Sequence, residues 1–271
     1  MMAMASVAMG YALGSRTSIA YPQLASACFG IFCVAAACSL INQWMEQDTD
    51  RLMNRTADRP LVAGRLRPTE VFCVGFILAS LGITWLWLTA NILTSVLAAV
   101  TLALYVCVYT PLKRVTSLCT TVGAVAGAFP PVLGWVAAGG TLDGNAWFLF
   151  LMLFAWQFPH FLAIATIYRD DYEQAGLKML PVLGNRNLAG YLSVIYACAL
   201  IPISLMAWSQ DLAGLPYVVV AMAGGVFYLL ASIRFLLEQS QTRARTLLVC
   251  SIVYLPVVLL VLTWDHFRLL S

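Results

Sequence analysis

Residues Ala146–Ile167 read AWFLFLMLFAWQFPHFLAIATI, and Tyr168–Lys178 continue as YRDDYEQAGLK. The first stretch runs for 22 residues without an Asp, Glu, Lys or Arg, and then charge arrives at once. At about 1.5 Å per residue, a helix of that length covers roughly 33 Å, the hydrocarbon thickness of a bilayer. Backbone groups in lipid must be satisfied within the spanning structure, which leaves helices or closed barrels. No part of the chain alternates with period two, so a barrel is excluded and the segment is a membrane-spanning helix.

Seven further apolar runs share this character, at 20–42, 69–89, 91–109, 117–138, 188–208, 214–237 and 246–264. A ninth, Met1–Leu13, is apolar but short, with no charged start and no small-residue cleavage site before Arg16. It reads as the second half of a helix. The expected fold is all-α: one polytopic membrane domain over residues 1–271, a bundle of about nine transmembrane helices with the first one shortened. The bundle is expected to surround a central cavity open to the cytoplasmic side.

Composition supports this class. Apolar residues make up 62% of the chain and charged residues 10%, against roughly 25% charged in a soluble domain. A soluble enzyme, a coiled coil and a disordered tail are all excluded. The net charge of +3 brings no concentrated basic patch, so no nucleic-acid partner is expected. Cys28, Cys33, Cys38, Cys73, Cys107, Cys119, Cys198 and Cys250 lie in apolar runs without a CxxC pair. They read as small buried hydrophobes.

The loops near 43–68, 110–116, 168–187 and 235–245, with Arg234 at the edge of the last, hold 13 of the 15 basic residues. Only Arg16 and Arg268 fall on the other side. Positive charge collects on the cytoplasmic face, so these four loops point inward, the N-terminus is cytoplasmic and the C-terminus is outside. The outer loops, around Asn91, Gly139–Gly144 and Gln210–Gly214, are minimal. Asp143, Asp211, Asp265 and His266 read there as exposed caps, and the chemistry is expected at the inner end.

Two inner stretches hold six of the twelve carboxylates. In the first, Asn42, Glu46 and Asp50 are spaced i, i+4, i+8, which stacks them along one face of a helix end. The second is Tyr168-Arg-Asp170-Asp171-Tyr172-Glu173. Acids at the end of a membrane helix are costly and usually functional. Carboxylates with an amide oxygen are hard ligands that suit magnesium, which keeps waters and bridges to phosphate oxygens. Two such clusters fit two ions around one diphosphate, with Arg55, Arg59, Lys113, Arg114 and Lys178 supplying cations for the remaining phosphate charge. For Asp48 and Glu173 a solvated role is equally good, and Lys178 and Arg186 also fit a purely topological role.

Asn42-x3-Glu46-x3-Asp50 followed by Arg55-Thr-x2-Arg59-Pro60-Leu61 resembles the first aspartate-rich motif of the intramembrane UbiA-type prenyltransferases. Tyr109-Thr-Pro-Leu-Lys-Arg114, Gly123–Pro131 with Gly134-Trp135, Trp156-Gln-Phe-Pro-His160-Phe, Tyr168-Arg-Asp-Asp-Tyr172-x2-Ala-Gly176 and Met179-Leu-Pro181 are similar to the protoheme IX farnesyltransferase (haem O synthase) branch. The sequence departs from the wider family in having Gln43 and Glu46 where Asp is usual, and Tyr168 and Tyr172 where the second motif has aspartates. It also lacks the complete first helix and the preceding Lys-Pro-Arg segment.

The resemblance implies an enzyme that transfers farnesyl from farnesyl diphosphate to a vinyl group of haem b, giving haem o and diphosphate. It implies Mg2+ as cofactor and haem b as substrate. One magnesium is assigned to Asn42, Glu46 and Asp50, and the second to Asp170 with Asp171. It further implies a setting in the bacterial inner membrane, where contact with haem A synthase or the oxidase assembly machinery is open. His160, the only histidine inside a span, is open between ligating or positioning the haem and plain packing. Trp44, Trp156, Phe158, Tyr168 and Tyr172 read as interface anchors, a minority of them lining the cavity. Two alternatives are a prenyltransferase for another aromatic acceptor, such as a quinone precursor, and a non-catalytic carrier of polyprenyl phosphate or haem.

Overall fold

The computed structural model describes residues 2–15, 18–182 and 186–271, and every regular element among them is helical. In chain order these are α1 (Met2–Gly14), α2 (Tyr21–Met45), α3 (Gln47–Asp50), α4 (Pro68–Thr89) and α5 (Ile92–Ala103). A π-helical segment (Leu104–Tyr109) and α6 (Thr110–Leu112) continue α5. Then come α7 (Cys119–Ala137), α8 (Gly144–Ile167), α9 (Arg169–Gln174), α10 (Arg186–Ser209), α11 (Leu215–Leu237) and α12 (Gln241–Leu270). Eight of the helical stretches are long and apolar enough to span a bilayer, and α1 is the short ninth. The last span is longer than its apolar run suggested, because Ser240 caps it at Arg243 N–H and so starts it at Gln241. Arg16 and the side chain of Arg186 lie outside the described residues.

Local chemistry sets the starts. Asp143 accepts from the N–H groups of Asn145 and Ala146 at the head of α8, and Asn91 from Thr94 at the head of α5. Pro68 opens α4, where Glu70 reaches back to Arg67 N–H. Pro159 sits inside α8, which runs unbroken past it.

α7 and α8 form the centre: 67% of each span is buried, against 28% for α4 and 17% for Ile92–Leu112. α1 lies against α7, α2 against α4, α10 against both α8 and α11, and α12 closes onto α8 and α11. Small residues make the closest crossing possible. A Cβ on Gly10 would collide with the Pro131 backbone, and one on Gly134 with the Val7 backbone. Away from the core, Phe76, Trp87, Phe227 and Val249 stay exposed, an apolar coat suited to lipid.

Three expectations need correction. Cys73, Cys107 and Cys198 are exposed on this coat rather than buried, and all eight cysteines are free. Asp265 and His266 are buried, not exposed caps. Asp265 accepts from the N–H groups of Gly214 and Tyr217 at the head of α11 and pairs with Arg268, while His266 Nδ1 donates to the Leu212 carbonyl. The end expected to be the outer one is also less bare than its short loops suggested: a cavity of about 410 Å³ there is lined by Asp143, Asp211, Gln210 and His266.

Candidate active site at the charged end of the bundle

The end of α2 carries the first cluster. The helix does not run straight through it: it stops at Met45, Glu46 takes φ −102° and ψ 9°, and α3 starts at Gln47. The spacing still works because Asp50 N–H bonds to the Glu46 carbonyl and carries the turn across the break. Asn42, Glu46 and Asp50 are all buried, whereas Asp48 faces solvent beside Arg51.

Each polar atom here has a defined partner. The Asn42 amide donates from Nδ2 to Glu46 Oε2 at 2.9 Å and to Thr110 Oγ1 at 3.0 Å. Thr110 donates its own hydrogen to the Tyr105 carbonyl, so it can only accept from Asn42, as can a carboxylate. Both amide hydrogens are therefore used, and the Asn42 oxygen is the atom left for a cation. Lys113 Nζ lies 2.9 Å from Glu46 Oε2 and 4.5 Å from the Tyr109 ring centre. Asp50, 1% exposed, is paired with Arg59.

Thr110 and Lys113 owe their position to the π segment, which the sequence reading did not anticipate. Its wider turn lets Thr110 N–H reach the Tyr105 carbonyl five residues back, just before Pro111, which has no N–H to offer. Gly123 admits the Tyr109 ring, since a Cβ there would strike it.

The second cluster is divided by the structure. Asp171 turns toward the first inner loop and accepts from Asn54 Nδ2 (3.3 Å) and Arg55 N–H (3.4 Å). Asp170 is exposed and lines a separate cavity with Thr166, Arg169, Pro181, Gln239 and Gln241. Adjacent residues on a helix point about 100° apart, so the two carboxylates do not converge. The Arg55 guanidinium lies 4.9 Å from the Tyr168 ring centre and 5.9 Å from that of Tyr172, with Nη2 3.5 Å from the Tyr172 hydroxyl. Burial pushes the Tyr172 hydroxyl up from its ordinary pKa, with Arg55 pulling the other way, so it stays protonated at neutral pH. Arg114 is exposed and reaches the Met45 carbonyl, and Lys178 is exposed, its backbone N–H donating to the Lys113 carbonyl.

Trp156, Phe158 and Tyr172 are buried, which overturns the anchor reading for these three. Trp156 donates to the Ser251 carbonyl and stacks on His160 at 4.8 Å, and Phe158 stacks on Tyr196 at 3.7 Å. His160 Nδ1 is 2.8 Å from Ser251 Oγ. That hydroxyl already donates to the Leu248 carbonyl, so it must accept, Nδ1 must carry the proton, and Nε2 holds the free lone pair. Below the acidic cluster, Tyr109, Thr120, Phe161, Ile164, Tyr172 and Met179 enclose about 60 Å³. Sites for sizeable ligands hold about 300–1,000 Å³, so this cavity as it stands is too small for one.

The donor set fits a hard divalent cation: an amide oxygen and two carboxylates with basic side chains beside them. Among the described residues no group of three or more His, Cys, Asp and Glu side chains is arranged to hold a metal ion. A magnesium ion, which completes its shell with water and phosphate oxygens, needs fewer protein ligands than that.

A buried amide–carboxylate–cation assembly stands at one end of a bundle of membrane-length helices, and the chain belongs to the UbiA prenyltransferase family, which it matches over residues 3–263. Within it, the protoheme IX farnesyltransferase of Solibacter usitatus is 44% identical over 227 residues, 83% of this chain and 77% of that one. The protoheme IX farnesyltransferase of Koribacter versatilis is 40% identical over 249 residues, 89% of this chain and 80% of that one. Among solved structures, digeranylgeranylglyceryl phosphate synthase superposes with a TM-score of 0.83 at 18% identity, covering 98% of this chain and 94% of its own. A UbiA homologue from Archaeoglobus fulgidus bound to DMAPP and Mg2+ gives 0.69 at 16% identity, covering 99% and 94%. These two likenesses concern the fold.

Proposed function

We propose that this prenyltransferase joins the farnesyl group of farnesyl diphosphate to a vinyl carbon of protoheme IX, with water completing the hydroxyethylfarnesyl group, and releases diphosphate and haem o. The observation that supports the reading is the pairing of buried Glu46 with Asn42 and Lys113, and of buried Asp50, one backbone turn on, with Arg59. The haem acceptor comes from the relatives, and it favours this branch over a prenyltransferase for quinone precursors.

In this reading the Asn42 oxygen, Glu46 and Asp50 hold one Mg2+, and Asp171 is better placed than Asp170 to help hold a second. Bound Mg2+ supplies Lewis-acid stabilisation of charge on the departing diphosphate. Arg55, Arg59, Lys113, Arg114 and Lys178 take the remaining phosphate charge. The tyrosine rings and apolar lining exclude water from the allylic carbon as its C–O bond lengthens. His160, with its proton fixed on Nδ1, offers Nε2 to the haem iron. We place the whole chain, residues 1–271, in one domain of the inner membrane, with this end cytoplasmic on the strength of the 13 basic residues in its loops.

A carrier without chemistry would want comparable polar groups along a path to the other side. At the outer end Asp265 is instead occupied by backbone N–H groups and Arg268.

The test is an assay of membranes holding this chain with haem b and farnesyl diphosphate, with and without Mg2+. Haem o should form only when the metal is present. Absence of haem o with all three supplied overturns the reading.

A further inference from the structure

We propose that Lys113 and Arg59 are resident counter-ions that keep Glu46 and Asp50 in a neutral quartet, so that the site accepts a divalent cation and a diphosphate together and resists either alone. This rests on the metal–diphosphate reading above and adds a coupling to it. The four side chains carry two negative and two positive charges. Glu46, Asp50 and Lys113 are buried, and the Arg59 side chain is 32% exposed.

A bare divalent cation reaching Glu46 finds no net negative charge and an ammonium already 2.9 Å from its Oε2. In a site shielded from water that repulsion is poorly screened. A bare diphosphate finds both cations committed to carboxylates. When the two arrive together, the cation takes the carboxylate oxygens, while Lys113 and Arg59, on long flexible stems, turn to the phosphate oxygens. No proton or electron moves and the charges only change partners. Of the other ionic groups nearby, Asp171 and Arg55 carry one charge of each sign, Asp171 accepting from Asn54 and Arg55 N–H and the exposed Arg55 lying over two tyrosines, and Arg114 is exposed. A lysine that served only to grip phosphate would have no need to be buried against a glutamate.

The experiment measures Mn2+ binding by electron paramagnetic resonance to the full chain in detergent, with and without farnesyl S-thiolodiphosphate. Without the analogue, Lys113→Met and Arg59→Met should each bind Mn2+ about tenfold or more tightly than the parent. Lys113→Arg, which keeps the charge, should follow the parent. The two Met variants free different carboxylates, and Arg59 is partly in solvent, so Arg59→Met reports even if Lys113→Met fails to fold. If the folded Met variants bind Mn2+ alone no more tightly than the parent, the counter-ion role is overturned while the metal site stands. If the parent binds no Mn2+ even with the analogue, the metal reading falls and takes this inference with it.

Discussion

Both ends of the bundle bury carboxylates, but they satisfy them differently. At the outer end Asp265 is filled by fixed donors: two backbone N–H groups at the head of α11 and Arg268 one turn along its own helix. At the inner end Glu46 and Asp50 are satisfied by Lys113 and Arg59, side chains on other segments that can swing away. A carboxylate held by a helix start is part of the scaffold, because its partners cannot leave without unwinding the helix. A carboxylate held by mobile cations can exchange them. Burial alone does not separate the two; the nature of the partner does.

The sharpest break between the ends should come from Asp50→Asn. Haem o formation should fall on the order of 100-fold or more in membranes, with the same amount of folded protein recovered. Activity near the parent's would erase the functional half of the comparison. Asp265→Ala should act in the opposite sense. It leaves the start of α11 uncapped and costs about 2 kcal/mol of stability, read by thermal unfolding in detergent, while turnover per folded molecule is kept.

Within the inner end, Asp171→Asn should lower activity about tenfold, whereas Asp170→Asn, in its separate cavity, should stay within about twofold. Equal losses would mean that the two carboxylates act as a pair. The smallest effect is expected from Thr110→Val, which removes one hydrogen bond to Asn42. At about 1 kcal/mol this is roughly a fivefold loss of activity, seen as weaker dependence on Mg2+ concentration rather than on haem.

The sites differ in how much of each could be read from the chain. Spacing alone brought Asn42, Glu46 and Asp50 to one face, because a helical period is local and survives even the break at Glu46. The motif of residues 168–173 was equally visible, yet its two aspartates part company, since adjacent positions on α9 must face different neighbours. Asp265 and His266 sit close to the C-terminus and looked like exposed caps; that α12 docks them onto the start of α11 is a long-range contact with no local signature. The same holds for Ser251, some ninety residues from His160. The Tyr109-Thr110-Pro111 sequence did carry a hint, since a proline withholds an N–H, but the resulting π turn and its consequence for Lys113 required coordinates.

What the sequence by itself determined is where the apolar runs that become the long helices lie, at which end of the bundle the acid clusters and most basic residues gather, and the hard-ligand character of those acids. These follow from hydropathy, period and residue type, which are properties of short stretches. Which cation meets which carboxylate, which aspartate turns to Asn54 and Arg55 and which proton His160 keeps were decided only when separate helices packed together. Those partnerships depend on distances of about 3 Å between residues far apart in the chain.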